Sequence, residues 1–243
     1  MKKLFSLVIV LLVMLSTPAL ADGELIVTQK AFALRPSSLN PSKYNGIVCA
    51  EIANTGDKPA WLMNSTIEVY DQNGNFIKSS DVISCYPPVL NPGDIGFIYR
   101  EIPGLETEDE NYIYDYKLIL TSANKDKNVI KRLPGIASYE KLEQSTSEIE
   151  FYAKLGMISP KYQFSATITN NTKSIIRKIT AVIALYDSND NLIYSTTISP
   201  SNLGIPAGQT VVLYAKDYYN MMELWEENGI SPERIMVIAY SED

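Results

Sequence analysis

The chain has 243 residues, two cysteines, no histidine and a net charge of −7 at neutral pH. Without imidazole there is no Ser-His-Asp or Cys-His catalysis and no His-ligated zinc, which leaves carboxylate pairs, Ser-Lys sites or oxygen-ligated calcium. The acid excess disfavours nucleic acid and anionic lipid, whose binding relies on Lys and Arg neutralising phosphates.

Residues 1–21 read as a secretory signal peptide. Lys2 and Lys3 are followed by an apolar run from Leu4 to Leu15 and by the small-residue site Ala19-Leu20-Ala21. Cleavage before Asp22 removes two lysines and no acid, which takes the net charge from −7 to −9. The expected product is secreted, extracellular or periplasmic, with no stable membrane insertion once the signal is gone.

The remaining chain is long enough for two ordinary domains, and it repeats itself. Ile67-Glu68-Val69-Tyr70-Asp71-Gln72-Asn73-Gly74-Asn75-Phe76-Ile77 returns as Ile183-Ala184-Leu185-Tyr186-Asp187-Ser188-Asn189-Asp190-Asn191-Leu192-Ile193. Each copy reads as strand, tight turn, strand. Upstream, Val48, Ala50 and Ile52 alternate with Cys49 and Glu51, and Phe164, Ala166 and Ile168 alternate with Gln163, Ser165 and Thr167, the period of a half-buried strand. Asn54-Thr55-Gly56-Asp57 and Asn170-Asn171-Thr172 close those strands with turn chemistry.

A three-residue loop, Gln72-Asn73-Gly74, would set Val69 opposite Ile77 and put Gly74 in the left-handed region. The same register would pair Leu185 with Ile193 and leave Asp190 at that position. Leu90-Asn91-Pro92-Gly93 and Ile205-Pro206-Ala207-Gly208 are matching turns before the strands Ile95 to Tyr99 and Thr210 to Tyr214. Final strands are expected at Tyr116 to Thr121 and Arg234 to Tyr240, with Val129 to Leu133 adding one to the first half. Asn220-Met221-Met222-Glu223 resembles a capping box opening a short helix that Gly229 and Pro232 end, with Met221, Leu224 and Trp225 as a hydrophobic lid.

Short strands, close-set turns and no long helical periodicity predict an all-β fold: two immunoglobulin-like β-sandwich domains in tandem, at 22–134 and 148–243, joined by a linker at 135–147 with a helical turn around Glu140 to Glu143. The hairpins Ile67-x-Val69-Tyr70-Asp71 and Ile183-x-Leu185-Tyr186-Asp187, with their flanking Asn and Gly turns, resemble the FxLYD domain, although Ile stands at the Phe position in both. That resemblance implies a small immunoglobulin-like sandwich in exported bacterial proteins. It transfers no activity, cofactor or catalytic residue.

Asp71-x-Asn73-x-Asn75 and Asp187-x-Asn189-x-Asn191 mimic the start of a calcium loop. The Gly and Glu that such a loop needs further on are replaced by Phe76 and Val82, or by Leu192 and Ile198, so a hairpin turn is the expectation. Cys49 and Cys85, in an exported chain, predict a disulfide worth about 4 kcal/mol by loop entropy, two free thiols being the alternative. Aligned with Ser165 and near Pro200, the two cysteines would form a surface staple outside the repeated core. Tyrosine is abundant, with 16 in all, as strands favour it. Exposed rings could also stack on sugars. Glu106, Glu108, Asp109 and Glu110 read as a solvated acidic loop, and Lys125, Lys127, Lys131 and Arg132 as a basic cluster for a contact between domains or with a partner.

These features predict a non-enzymatic exported binding or scaffold protein with no cofactor or metal, acting on an unidentified protein or envelope component through strand edges or loops. A carbohydrate-binding module using exposed Tyr side chains is the alternative. A carboxylate-pair hydrolase lacks an evident pair, and a two-domain periplasmic chaperone would have only the basic cluster with which to clamp a terminus.

Overall fold

The structure, a computed structural model, describes residues 24–37, 43–81, 83–106, 115–125, 130–200 and 203–243. The signal segment 1–21, Val82, Glu108, Asp109, Glu110, Lys127 and Val129 lie outside them. In the first half come β1 (Leu25–Pro36), β2 (Lys43–Asn54), β3 (Ala60–Leu62), β4 (Thr66–Tyr70), β5 (Phe76–Asp81), β6 (Cys85–Tyr86), β7 (Ile95–Glu106), β8 (Asp115–Ile119) and β9 (Ser122–Asn124). The second half contains β10 (Lys131–Leu133), β11 (Gly135–Lys141), α1 (Thr146–Lys154), β12 (Tyr162–Thr169), β13 (Ile179–Tyr186), β14 (Leu192–Ile198), β15 (Thr210–Lys216), α2 (Met221–Glu227) and β16 (Arg234–Ser241).

The chain is an all-β sandwich fold in which antiparallel sheets stack. Sheet β1-β2-β7-β6 faces sheet β5-β4-β8 and the short pair β3-β9; sheet β10-β16-β13-β14 faces sheet β11-β12-β15. The alternation in β2 sends Val48, Ala50 and Ile52 into the first half's core with Ile67, Val69, Ile98 and Tyr116. The opposite face of β2 is not solvated. Ile47 and Cys49, with Ala33 and Phe97 of the neighbouring strands, join the core of the second half. All eight residues of β13 are buried for the same reason, since one face of its sheet meets β12 and the other meets the first half.

The repeated asparagines account for much of the similarity between the copies. Asn54 is buried and donates Nδ2 to the carbonyls of Lys58 and Leu90, both at 2.8 Å, while its Oδ1 accepts from Gly56 N at 3.0 Å. Asn170 repeats the pattern: Nδ2 to Ser174 O at 2.8 Å and to Ile205 O at 2.7 Å, with Oδ1 accepting from Thr172 N at 2.9 Å. One side chain thus ties each upstream turn to the residue that opens the Pro-Gly or Ala-Gly turn. The backbone bonds Gly93 N to Asn54 O and Gly208 N to Asn170 O close the same corner.

The hairpins depart from the expected register. Tyr70 opposes Phe76 and Tyr186 opposes Leu192, with a bulge immediately after, so that Val69 faces Lys78 and Leu185 faces Tyr194. Ile77 and Ile193 are the extra residues, and a bulge of this kind lets the turn keep its left-handed residue while the strands stay in phase. Gly74 at φ +80° and Asp190 at φ +61° occupy that position as expected.

Three further expectations are corrected. Residues 135–147 are not a linker: β11 pairs with β12 over its whole length, and the residues after it lead into α1. The strand before it, β10, pairs with β16 and so belongs to the second half, not to 22–134. Asn220 is not the expected helix cap. It sits at φ +47° and uses its side chain on Lys161 N (3.0 Å) and Ser159 O (3.2 Å), while Asp217 Oδ2 accepts from Met222 N at 2.9 Å and holds the start of α2. The lid itself is present, with Met221 and Met222 buried and Leu224 and Trp225 packed on the core. Gly229, at φ +70°, follows the end of α2.

The asparagine corners make a stability prediction. Asn54→Ala or Asn170→Ala strands several buried carbonyl and N–H groups and should each cost about 2–4 kcal/mol. Asn73→Ala, at an exposed hairpin tip, should change stability by no more than about 0.5 kcal/mol. Equilibrium urea unfolding of the three variants checks this, and equal effects would contradict it.

Candidate functional site

The joint between the halves is built from polar groups set in an apolar surround. Glu51, two residues after Cys49 and on the same face of β2, is buried. Its carboxylate accepts from Tyr186 Oη at 2.5 Å and from Thr28 Oγ1 at 2.7 Å. A buried carboxylate without such donors would be strongly unfavourable. Gln29 Oε1 accepts from Leu192 N at 2.6 Å, and Arg35 donates Nε to Tyr219 O at 2.7 Å. Glu101 takes hydrogen bonds from Asn45 Nδ2 (2.7 Å) and from the Tyr219 hydroxyl. Tyr219, Tyr99, Tyr194 and Phe164 pack in sequence with ring centroids 6.4, 6.1 and 5.9 Å apart, carrying aromatic contact from one half into the other.

The two cysteines are both buried and both free. The expected Cys49–Cys85 disulfide is therefore corrected, and so is its surface position. Cys49 faces the joint, where Sγ accepts from Ser195 N at 3.3 Å. Cys85 lies in the core of the first half, on the other side of the same sheet. Opposite faces of one sheet cannot be bridged within the reach of a disulfide. Burial pushes the Cys49 thiol up to about 11 and the Cys85 thiol up to about 12, so both stay neutral and unreactive near pH 7.

The Asp-x-Asn-x-Asn segments are turns held by their own aspartate. Asp71 Oδ1 accepts from the backbone N–H groups of Asn73 and Asn75, each at 2.8 Å, and Oδ2 accepts from the Asn75 amide at 2.8 Å. Asp187 does the same with Asn189 N at 2.9 Å, Asn191 N at 2.8 Å and the Asn191 amide at 3.0 Å. The Asn75 and Asn191 bonds hold both carboxyls below their usual range. With Asn75 and Asn191 presenting N–H rather than carbonyl groups, the loops are arranged for a carboxylate and not for a cation.

The remaining candidates separate. Of the basic cluster, Lys125 lies over the Trp61 ring at 4.5 Å, and Arg132 reaches Asp94 at 3.3 Å across the joint; Lys131 is exposed. Glu106, the described member of the acidic run, pairs with Lys43 at 3.0 Å. Most described tyrosines are buried or half-buried; only Tyr214 and Tyr218 are exposed, and both line an open hollow of about 690 Å³ with Gln163, Ser199 and Lys216.

One surface was not anticipated. Helix α1 begins with a complete capping box, in which Ser145 accepts from Glu148 N while the Glu148 side chain accepts from Ser145 N, yet none of its residues is buried. Ile149, Phe151 and Leu155 are 48%, 57% and 54% exposed, and Met157 and Ile158 just beyond are 39% and 49% exposed. Nine-residue helices are marginal without packing, and grouped exposed apolar side chains of this size mark interaction sites. The Ser-x-x-Glu signal at 145–148 was readable; the absence of a buried face removed the periodicity that would have flagged the helix.

No family model matches the chain, and no curated protein matches it. Solved structures with partial likeness include a transglutaminase from red sea bream, 12% identical over 89% of this chain and 30% of that one, with a TM-score of 0.22. The C-terminal globular domain of an oligosaccharyltransferase from Pyrococcus abyssi is 12% identical over 88% of this chain and 47% of that one (TM-score 0.20). Procruciferin, an 11S globulin from Brassica napus, is 10% identical over 92% and 85% (TM-score 0.15). The chain spans less than a third of the transglutaminase and less than half of the oligosaccharyltransferase domain. At these scores the likenesses carry no argument.

Two outcomes test the site residues. Thiol titration of unfolded, unreduced protein should find both cysteines free, the native protein should resist thiol reagents, and reductant should leave the melting temperature unmoved. Finding no thiols would restore the disulfide. The lowered carboxyls of Asp71 and Asp187 stabilise the fold above the ordinary aspartate value of about 3.9, and that contribution is lost as pH falls through the lower folded values. The melting temperature of an Asp71→Ala, Asp187→Ala variant should thus lie below the parent's at pH 7 and converge on it under acid. A gap that is constant with pH would contradict this.

Proposed function

We propose that the chain is an exported, non-enzymatic binding or scaffold protein that engages a protein or envelope component. The observation carrying this reading is the apolar surface of α1 and the residues after it. Phe151 and Leu155 lie on one side of a well-capped helix in which no residue is buried, Ile149 is exposed on its other side, and Met157 and Ile158 follow it. A partner that covered them would supply the burial that the helix lacks.

The way the polar groups are used also supports binding over catalysis. The Glu51 and Glu101 carboxylates are taken up by tyrosine hydroxyls and neighbouring side chains that hold the two halves together. The thiols are neutral and enclosed. Export rests on the basic, apolar and small-residue pattern of residues 1–21, and the tandem arrangement of FxLYD-like units rests on the repeated hairpins and asparagine corners.

Carbohydrate binding is a second reading, favoured by the placement of Tyr214 and Tyr218 beside Gln163 and Lys216 in one hollow. An aromatic face with flanking hydrogen-bonding groups is what a sugar ring requires.

A Phe151→Ser, Leu155→Ser variant distinguishes the two. Because both side chains are exposed, stability should change by no more than about 0.5 kcal/mol, while capture of a partner from an envelope fraction should be lost. Undiminished capture would contradict the helix reading, and loss of polysaccharide retention in Tyr214→Ala would favour the sugar reading.

A further inference from the structure

A second recess, independent of α1, lies in the first half where β3 and the ends of β5 and β6 diverge. It is a cleft of about 630 Å³, within the ~300–1,000 Å³ range of small-ligand sites, and it includes Trp61, Asp81 and Cys85 in its lining. Its floor is apolar: Leu62, Ile83 and Cys85 are all buried. The Cys85 thiol is desolvated and remains neutral, so it adds no charge to that floor. Its mouth carries Trp61, Asn64, Asp81 and Ser84. Asn64 is held at φ +45° by a turn that the Ser65 hydroxyl pins, donating to Met63 O and accepting from Thr121 N at 2.9 Å.

The charge pattern is one-sided. Among the described residues lining the cleft, Asp81 is the only charged one, and its carboxylate has no hydrogen bond or ion pair with any described residue. The face of the Trp61 indole in the same lining is already covered by the Lys125 ammonium, with Nζ 4.5 Å from the ring centre, so the unpaired group left for a ligand is the Asp81 carboxylate. A free carboxylate at the rim of an apolar hollow favours a ligand that joins positive charge to an apolar body, because the carboxylate stabilises the charge while the floor excludes water.

We infer that the Trp61 cleft binds a small amphipathic monocation, an apolar body bearing one ammonium group that pairs with the Asp81 carboxylate. The body fills the space over Leu62 and Ile83. An anionic ligand would meet the Asp81 carboxylate, and a polyhydroxylated one would leave the apolar floor unsatisfied.

The test uses the mature chain carrying Trp225→Phe, which makes Trp61 the sole tryptophan. Trp225 Nε1 is buried with no hydrogen-bond partner, so this change removes no bond. The probes are phenethylammonium, 2-phenylethanol, phenylacetate and methyl glucoside, followed by Trp61 emission. The expected result is saturable binding of phenethylammonium, with the neutral alcohol about tenfold weaker for want of the charge that Asp81 would meet. Asp81→Asn should erase that preference, and Ser84→Lys, at an exposed rim position, should abolish binding of the cation while both variants keep the parent's melting temperature. The inference is overturned if phenethylammonium gives no saturable change, if the alcohol, the acid or the sugar binds as well, or if the preference survives Asp81→Asn.

Discussion

The structure depends on a strand that has no solvent face. Strand β2 buries Val48, Ala50 and Ile52 on one side and Ile47 and Cys49 on the other, so its sheet is the inner wall of the first sandwich and also the floor on which the second one rests. Buried polar groups on that second side must then find partners within the sheet or across the joint. Tyr186 meets Glu51, and Ser195 meets Cys49. Linked units with small polar contacts ordinarily move relative to one another; an apolar joint with interlocked polar bonds holds them as one body.

This constraint explains which parts of the fold were legible in sequence. Period-two alternation, the repeated hairpin and the paired turns are local signals, and they located most of the strands. They report that a face is less apolar, not that it is wet. Cys49 and Glu51 stand where Ser165 and Thr167 stand in the other copy, and only packing against β13 and β14 makes the former interior. The surface position expected for Cys49 followed from that ambiguity, whereas the disulfide itself was expected from two cysteines in an exported chain. The hairpin register failed for a related reason: pairing rules favoured Val69 against Ile77, but a bulge shifts every later residue by one, and Lys78 reaches Pro103 O at 2.7 Å from its place opposite Val69.

Other elements were hidden by composition. Gly135–Lys141 carries Ile136, Ser138 and Glu140 outward, so it reads as a polar connector although it pairs along its full length with β12. The Trp61 cleft had no sequence signature at all. Its walls come from β3, β5 and β6, segments that are adjacent only once the sheets have stacked. The helix α1, by contrast, announced its start at Ser145 and Glu148 and lacked only an apolar face turned inward. That same outward apolar character is what supports a role in binding.

In the proposed binding role, the joint would set the distance between α1 and the Trp61 cleft. The joint is tested most directly by a double-mutant cycle on Glu51→Gln and Tyr186→Phe, read from equilibrium unfolding. Each single change should cost about 1–3 kcal/mol, with the pair costing less than the sum by about 0.5 kcal/mol or more, as expected for groups in direct contact. Strict additivity, to within about 0.3 kcal/mol, would mean that the two side chains do not meet and that the halves are not joined through this sheet.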